Sequence, residues 1–430
     1  MADSAVMQRR AWLGAAAATL GAAGSGCARR GDANTVRFWA MGREGEVAAE
    51  LLAGFRAQHP QIQVRIEQLP WSAAHEKLLT AFAGDATPDV AQLGNSWLPE
   101  FVALGALAPL DEWVASSPDV PQADHFAGIW ATNQVQGALY GLPWYVDTRL
   151  LFYRRDLLAQ AGFQAPPVSW AEWLRMMQAI RQQQGPQRYA TLMPLNEYDP
   201  LVALALQGEA PLLREGGRYG NFRGESFRRA WRFVLQLYAQ QLAPPASSNQ
   251  IANVWNEFAR GYFSFYISGP WQIGEFRRRL PAALQGAWAT APLPGPEGAG
   301  ASIAGGSSLA LFARSRAKPA AWALVRYLAQ PAVQQRFHAL TGNLPPRRSA
   351  WQAPALAGDE PTQAFRTQLE RVKPLPQVPE WERIATELRL MLERVVHGDV
   401  DAEAAPALLD ERADLLLAKR RWMLARGAAA

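Results

Sequence analysis

The chain is short of the residues on which several kinds of chemistry depend. Its 430 residues include one cysteine, Cys27. A body without a second cysteine can form no internal disulfide, and beyond Cys27 it has no thiol nucleophile. Lysine occurs only at Lys77, Lys318, Lys373 and Lys419, and no basic run is longer than three residues. The formal charge of +5 is therefore arginine spread thinly, without the concentrated basic patch a nucleic-acid partner requires. The five histidines, His59, His75, His125, His338 and His397, are scattered without metal-ligand spacing. No GK[ST] phosphate loop and no GxSxG nucleophile turn is present. Carboxylate pairs such as Glu44 and Glu46 could serve a glycosidase, or simply complement a helix N-terminus. Nothing else points to catalysis.

What is present describes a large folded chain. Hydrophobic content of 49% with 19% charged residues excludes disorder, and the length calls for two domains rather than one core. The N-terminal stretch MQRRAWLGAAAATLGAAGSGC places Arg9 and Arg10 before an apolar segment, with small residues ahead of Cys27. That is the layout of a secretory signal, and it is too short to span a membrane. Cys27 stands where a bacterial lipoprotein signal is cut and the new terminal cysteine lipidated. Gly24 replaces the leucine usual in such signals, so a plain cleaved signal is the alternative. No later segment is apolar for long enough to cross a bilayer.

VRFWAM (36–41) and PDVAQLG (88–94) read as buried strands, and IQVRIEQL (62–69) as a half-buried one. Helical spacing of Val47, Leu51 and Phe55 between the first two makes a βαβ unit, hence a parallel sheet. A helix capped by Ser72 follows and ends at Gly84. Ser169 and Glu172 form a capping box for a helix through Ile180. Strands are expected at YATLMP, FSFYISG, WATAPLP and SSLALFA, and a helix over 226–241. From Lys318 the pattern is almost wholly helical, broken near Pro331, 342–346 and 372–379. In open sheets ligands bind at the carboxyl ends of strands. The segments found there are MGREGE, GNSW and SGPW, each joining glycine to polar or aromatic groups. In SGPW the proline is expected at the first helical position, with Trp271 just inside the helix.

Several stretches, taken in order, resemble one family. They are FRAQHPQIQV; PDVAQLGNSWLPEFVALGALAPLDEW; ALYGLPWYVDTRLLFYRRDLLAQAGF; YISGPW; GGSSLALFA with KPAAWALVRYLAQPAVQQRF; and TGNLPPR. They are similar to extracellular solute-binding proteins of ABC transporters, in the carbohydrate branch that includes maltose- and trehalose-binding proteins. The resemblance implies an α/β, two-lobed periplasmic binding protein fold of type II character, with a helical C-terminal extension and the ligand in the cleft. It implies a signal over 1–26, one lobe from 34–143 with 303–348, and a second from 144–302 with 349–425, hinged near Pro143. It also implies a monomer without cofactor or metal, held to the membrane by a lipid on Cys27, that delivers sugar to permease subunits of the inner membrane.

Carried over residue by residue, the resemblance implies ligand contacts from Glu44, from Asn95, Ser96 and Trp97, and from Tyr145 and Asp147. It adds Trp271 as an aromatic wall, Gly305 and Gly306 as a close backbone approach, and Arg347 as a donor. Ser307 stands where many relatives carry a tryptophan, so one stacking platform is lost. The same fold could instead take glycerol 3-phosphate or another polar solute. A periplasmic carbohydrate-active enzyme is the reading from another class.

Overall fold

The computed structural model describes residues 33–251 and 253–426; the expected signal over 1–26 and Cys27 lie outside these residues. The chain opens with strands β1 (Thr35–Met41), β2 (Gln63–Leu69) and β3 (Val90–Gly94), followed by β4 (Leu142–Asp147) and β5 (Leu150–Arg154). Then come β6 (Thr191–Leu192), β7 (Phe265–Ser268), β8 (Trp288–Ala291), β9 (Ser302–Ile303), β10 (Gly305–Leu311) and β11 (Val372–Lys373). Two sheets result. The first has the order β2-β1-β3-β10-β4 and the second β8-β5-β7-β6. The expected βαβ unit is there, since β1 pairs in parallel with both β2 and β3. The sheet does not stay parallel, because β10 runs antiparallel to β3 and to β4. A strand that returns from the far lobe enters from the opposite end, which a reading of local periodicity does not reveal.

Each sheet is covered by helices that bury one stripe. Ser169 accepts a hydrogen bond from the Glu172 amide while the Glu172 carboxylate accepts from the Ser169 amide, so the expected capping box is formed. The helix Trp170–Gln184 then buries Trp170, Trp173, Met176, Met177 and Ile180 on one face. Helices at Glu225–Ala239 and Trp381–Val396 close the same core. The core of the first sheet is shared by Phe38, Phe55 and Trp144 with Trp322 and Phe337 of later helices. The helix after β2 starts at Trp71 with Pro70 as its N-cap residue, two residues earlier than a cap at Ser72 implies. In SGPW, Pro270 is the N-cap residue and Trp271 the first helical one.

The chain passes from the first sheet to the second at Thr148 and Arg149, since β4 is paired as far as Asp147 and β5 begins at Leu150. It returns through β9, which pairs in parallel with β11, so two connecting segments lie side by side between the sheets. A third apolar cluster, from Val146 and Leu150 to Ala304 and Val372, packs around these crossings.

Gly305 and Gly306 allow β10 to reach the end of β4. A Cβ on Gly306 would lie 2.2 Å from the Tyr145 carbonyl oxygen, and one on Gly305 would lie 2.5 Å from that of Asp147. Gly306 also has φ +132, a conformation that L side chains rarely adopt. The pair therefore serves strand approach first. Gly306→Ala is expected to destabilise the fold by about 3 kcal/mol. A lowered urea midpoint checks this.

Candidate functional site

A cavity of about 570 Å³ opens between the two sheets. Its floor is a cross-strand row in which Ser307 of β10 faces Gly94 on one side and Tyr145 on the other. Tyr145 is buried and its hydroxyl accepts from Ser307 Oγ at 3.1 Å and from Gln92 Nε2 at 3.4 Å. Gln92 Oε1 in turn accepts the Met41 amide at 2.8 Å. Burial raises the Tyr145 pKa well above its ordinary value, and the nearby Glu44 charge adds to this, so the phenol stays protonated.

Three tryptophans stand around this floor, and each lies against a glycine. Trp271 folds over Gly269, where a Cβ would come within 1.9 Å of its ring. Trp71 covers Gly42, which has φ +46, and Trp97 covers Gly94. A Cβ would strike the ring at Gly269 and crowd it at Gly42, 2.9 Å from Trp71, whereas at Gly94 it would make ordinary contact with Trp97 at 3.4 Å. Trp71 and Trp97 meet edge to face with centroids 5.8 Å apart, and His75 backs Trp97 at 5.0 Å. His75 bonds Glu100 at 2.8 Å, and that bond raises its pKa. Trp271 is 42% exposed and faces the cleft from the other lobe.

The polar groups centre on Arg149, which occupies the first crossing. Its guanidinium pairs with Asp147 and, at 3.0 Å, with Asp199, and its carbon lies 4.8 Å from the centre of the Trp271 ring. Ser302 of β9 donates to the Arg149 carbonyl at 2.6 Å. One residue thus touches the end of the first sheet, a helix start of the second lobe, the aromatic wall and the second crossing. Burial pushes the Asp147 pKa up to about 6, against the pull of Arg149 and with help from Asp199. Glu382, at the start of the helix Trp381–Val396, also walls the cavity. Its pKa is raised, chiefly by burial.

Of the residues expected to meet ligand, Asn95, Ser96, Trp97, Tyr145, Asp147, Trp271, Gly305, Gly306 and Ser307 all wall this cavity. The Asn95 side chain is already committed, donating to Thr132 at 2.8 Å and accepting from Ser308 at 3.0 Å. Ser307 is fully buried, so its hydroxyl serves Tyr145. Two of the expected contacts lie outside these walls. Glu44 is 7% exposed, and its Oε1 accepts from Asn343 at 2.7 Å. Arg347 is 6% exposed and bonds Asp124 at 2.6 Å and the carbonyls of Asp119 and Ala329, each at 3.0 Å. Neither is among the cavity walls. Trp71, Arg149, Asp199, Gln377 and Glu382 wall it without having been singled out. Arg149 could have been found two residues beyond Asp147, while Gln377 lies in a proline-rich stretch read only as a helix break.

Among the described residues no cluster of histidine, cysteine or carboxylate side chains could hold a metal, and no helix is long and apolar enough to cross a membrane. Two lobes, a cleft floored by strand ends and aromatic walls from both sides define a receptor for a small solute. Residues 41–335 match the family described as bacterial extracellular solute-binding proteins, and the chain belongs to it. It is 56% identical to the sugar-binding protein MalE from the phytopathogen Xanthomonas citri, covering 91% of this chain and 99% of that one, with a TM-score of 0.89. The GacH receptor of Streptomyces glaucescens, solved unliganded and with acarbose, is 26% identical over 89% of this chain and 98% of its own, with a TM-score of 0.75. The diacetylchitobiose binding protein DasA of Streptomyces coelicolor is 23% identical over 86% of this chain and 87% of its own.

The raised Asp147 pKa has a sign that can be checked. From about pH 4 to pH 6 the folded chain holds a proton on Asp147 that the unfolded chain has released. Its contribution to stability is therefore present at the acid end, falls as pH rises through that window, and is constant above it. Stability measured against pH should lose this component in Asp147→Asn.

Proposed function

We propose that the chain binds a disaccharide or short oligosaccharide, such as maltose or trehalose, in this cleft. In this reading it delivers the sugar to an ABC transporter permease. The observation that carries the proposal is the pairing of aromatic faces with carboxylates, an amide and one guanidinium in a single cavity shared by both lobes. A sugar has apolar C–H faces and a belt of hydroxyls that both donate and accept, and these wall groups complement both features. Trp71 and Trp97 on one side and Trp271 on the other would each stack; Asp147, Asp199, Glu382 and Gln377 would receive or offer hydroxyl bonds. A ligand touching both sides favours the closed state by that differential contact. The similarity to a protein described as sugar-binding supports the same class of ligand.

The charge balance favours a neutral sugar over glycerol 3-phosphate. Among the described residues walling the cavity, Arg149 is the only cation, and Asp147 and Asp199 already neutralise it. A phosphate would enter a site that also presents Glu382, with no free cation to meet it. We further propose that the mature chain works as a monomer in the periplasm, tethered through a lipid on Cys27.

Calorimetric titration with maltose, trehalose, maltotriose and glycerol 3-phosphate tests the reading. A disaccharide or trisaccharide should bind, and Trp271→Ala should weaken it about tenfold, roughly 1.4 kcal/mol. Because Trp271 is exposed, that variant should keep its melting temperature. Binding of glycerol 3-phosphate alone would overturn the sugar assignment and leave the fold intact.

A further inference from the structure

The tryptophans that wall the cleft are not oriented alike. Trp271 of the second lobe lies against Arg149, a permanent cation tied to two carboxylates. Trp97 of the first lobe lies instead against His75, with ring centres 5.0 Å apart and planes inclined at 62°. His75 belongs to the helix Trp71–Ala83, four residues beyond Trp71, so the two side chains share one face of that helix. Trp97 ends the short turn Asn95–Trp97, and the helix Leu98–Ala103 that follows supplies Glu100 and Phe101. His75 Nε2 meets Glu100 Oε2 at 2.8 Å, and its ring stands 5.9 Å from that of Phe101. One imidazole therefore joins the helix bearing Trp71 to the turn bearing Trp97. His75 is not itself among the cavity walls, so whatever it does to a ligand it does through Trp97.

The joint is titratable. A neutral imidazole has one N–H, and donating it to Glu100 makes a single ordinary hydrogen bond. The imidazolium makes that bond charge-assisted, roughly twice as strong, and turns Nδ1 into a donor facing Glu76 Oε1 at 4.0 Å. Among the described residues the charged groups acting on His75 are all carboxylates: Glu100, Glu76 on its own helix, and Glu382 of the opposite cleft wall. The bond to Glu100 raises the His75 pKa above the ordinary imidazole value, against the effect of burial. The charged form is present in acid and is lost as pH rises through that raised value. A ring fixed before the ligand arrives costs less to immobilise on binding, so the stronger joint favours the ligand.

We infer that His75, anchored by Glu100, is the positioning residue for the Trp97 wall, and that its imidazolium form tightens sugar binding. This rests on the sugar reading above. The two lobes then differ: the Trp271 wall is set by a permanent cation and the Trp97 wall by a group that follows the pH of its surroundings.

Calorimetric affinity for maltose and trehalose, measured from about pH 5 to about pH 8.5, tests this in the full-length chain and in His75→Gln, His75→Ala and Glu100→Gln. Asp147 titrates in the same range, so each variant is compared with the parent at the same pH. His75→Gln keeps a neutral donor for Glu100. It should keep the melting temperature, match the parent at the alkaline end and bind about threefold more weakly at the acid end. His75→Ala, with no donor, should bind about fivefold more weakly than His75→Gln throughout. The sugar-free protein gives a second readout. In fluorotryptophan-labelled chain the fluorine signal of Trp97, identified by its loss in Trp97→Phe, should move in one step with pH. That step should shift to lower pH in Glu100→Gln and vanish in His75→Gln. An affinity ratio between parent and His75→Gln that does not change with pH overturns the inference, as does a Trp97 signal that titrates alike in both. A Trp97 step that depends on His75 in a chain that binds neither sugar would support the positioning role and sink the sugar reading instead.

Discussion

The closeness of two backbones carries most of this structure. Gly305 and Gly306 bring β10 against Asp147 and Val146 so tightly that a methyl group would collide with carbonyl oxygens. That contact places Ser307 between Gly94 and Tyr145 and so builds the cavity floor. It also fixes the end of β4, from which Asp147 and then Arg149 enter the cleft. A side chain at either glycine would separate the strands and unsettle floor, crossing and charge network together. The same device recurs on a smaller scale under Trp71 and Trp271, where a Cβ on Gly42 or Gly269 would meet the ring.

Arg149 converts that geometry into a mechanical link. It occupies the crossing between the sheets, is anchored by carboxylates from both directions, and lies against Trp271. Its carbonyl is held by Ser302 in the second crossing. Anything that engages Asp147 or Trp271 acts on the group that occupies the crossing between the sheets. In the proposed reading, ligand contact and lobe closure are coupled through this residue rather than through a long path.

The strands, the capping box at Ser169 and the order of helices were legible because they rest on local periodicity and cap chemistry. The glycine and tryptophan residues at strand ends were legible for the same reason, since a large ring beside glycine at a sheet edge has few structural uses. Strand direction in β10 was not, because it is set by a return from the other lobe. Glu44 and Arg347 were assigned from their places in the resemblance, and partners distant in sequence claimed them: Asn343 for one, Asp124 for the other. Asp199, Gln377 and Glu382 join the site only through tertiary packing, so no local pattern marked them.

The central claim is that one ligand touches both lobes at once. Hydrogen–deuterium exchange with and without saturating maltose or trehalose tests it most directly. The account predicts slower exchange in the segment around Asn95 to Trp97 and, together with it, in the start of the helix at Trp271. Protection confined to one of these segments, with the sugar bound, would contradict it.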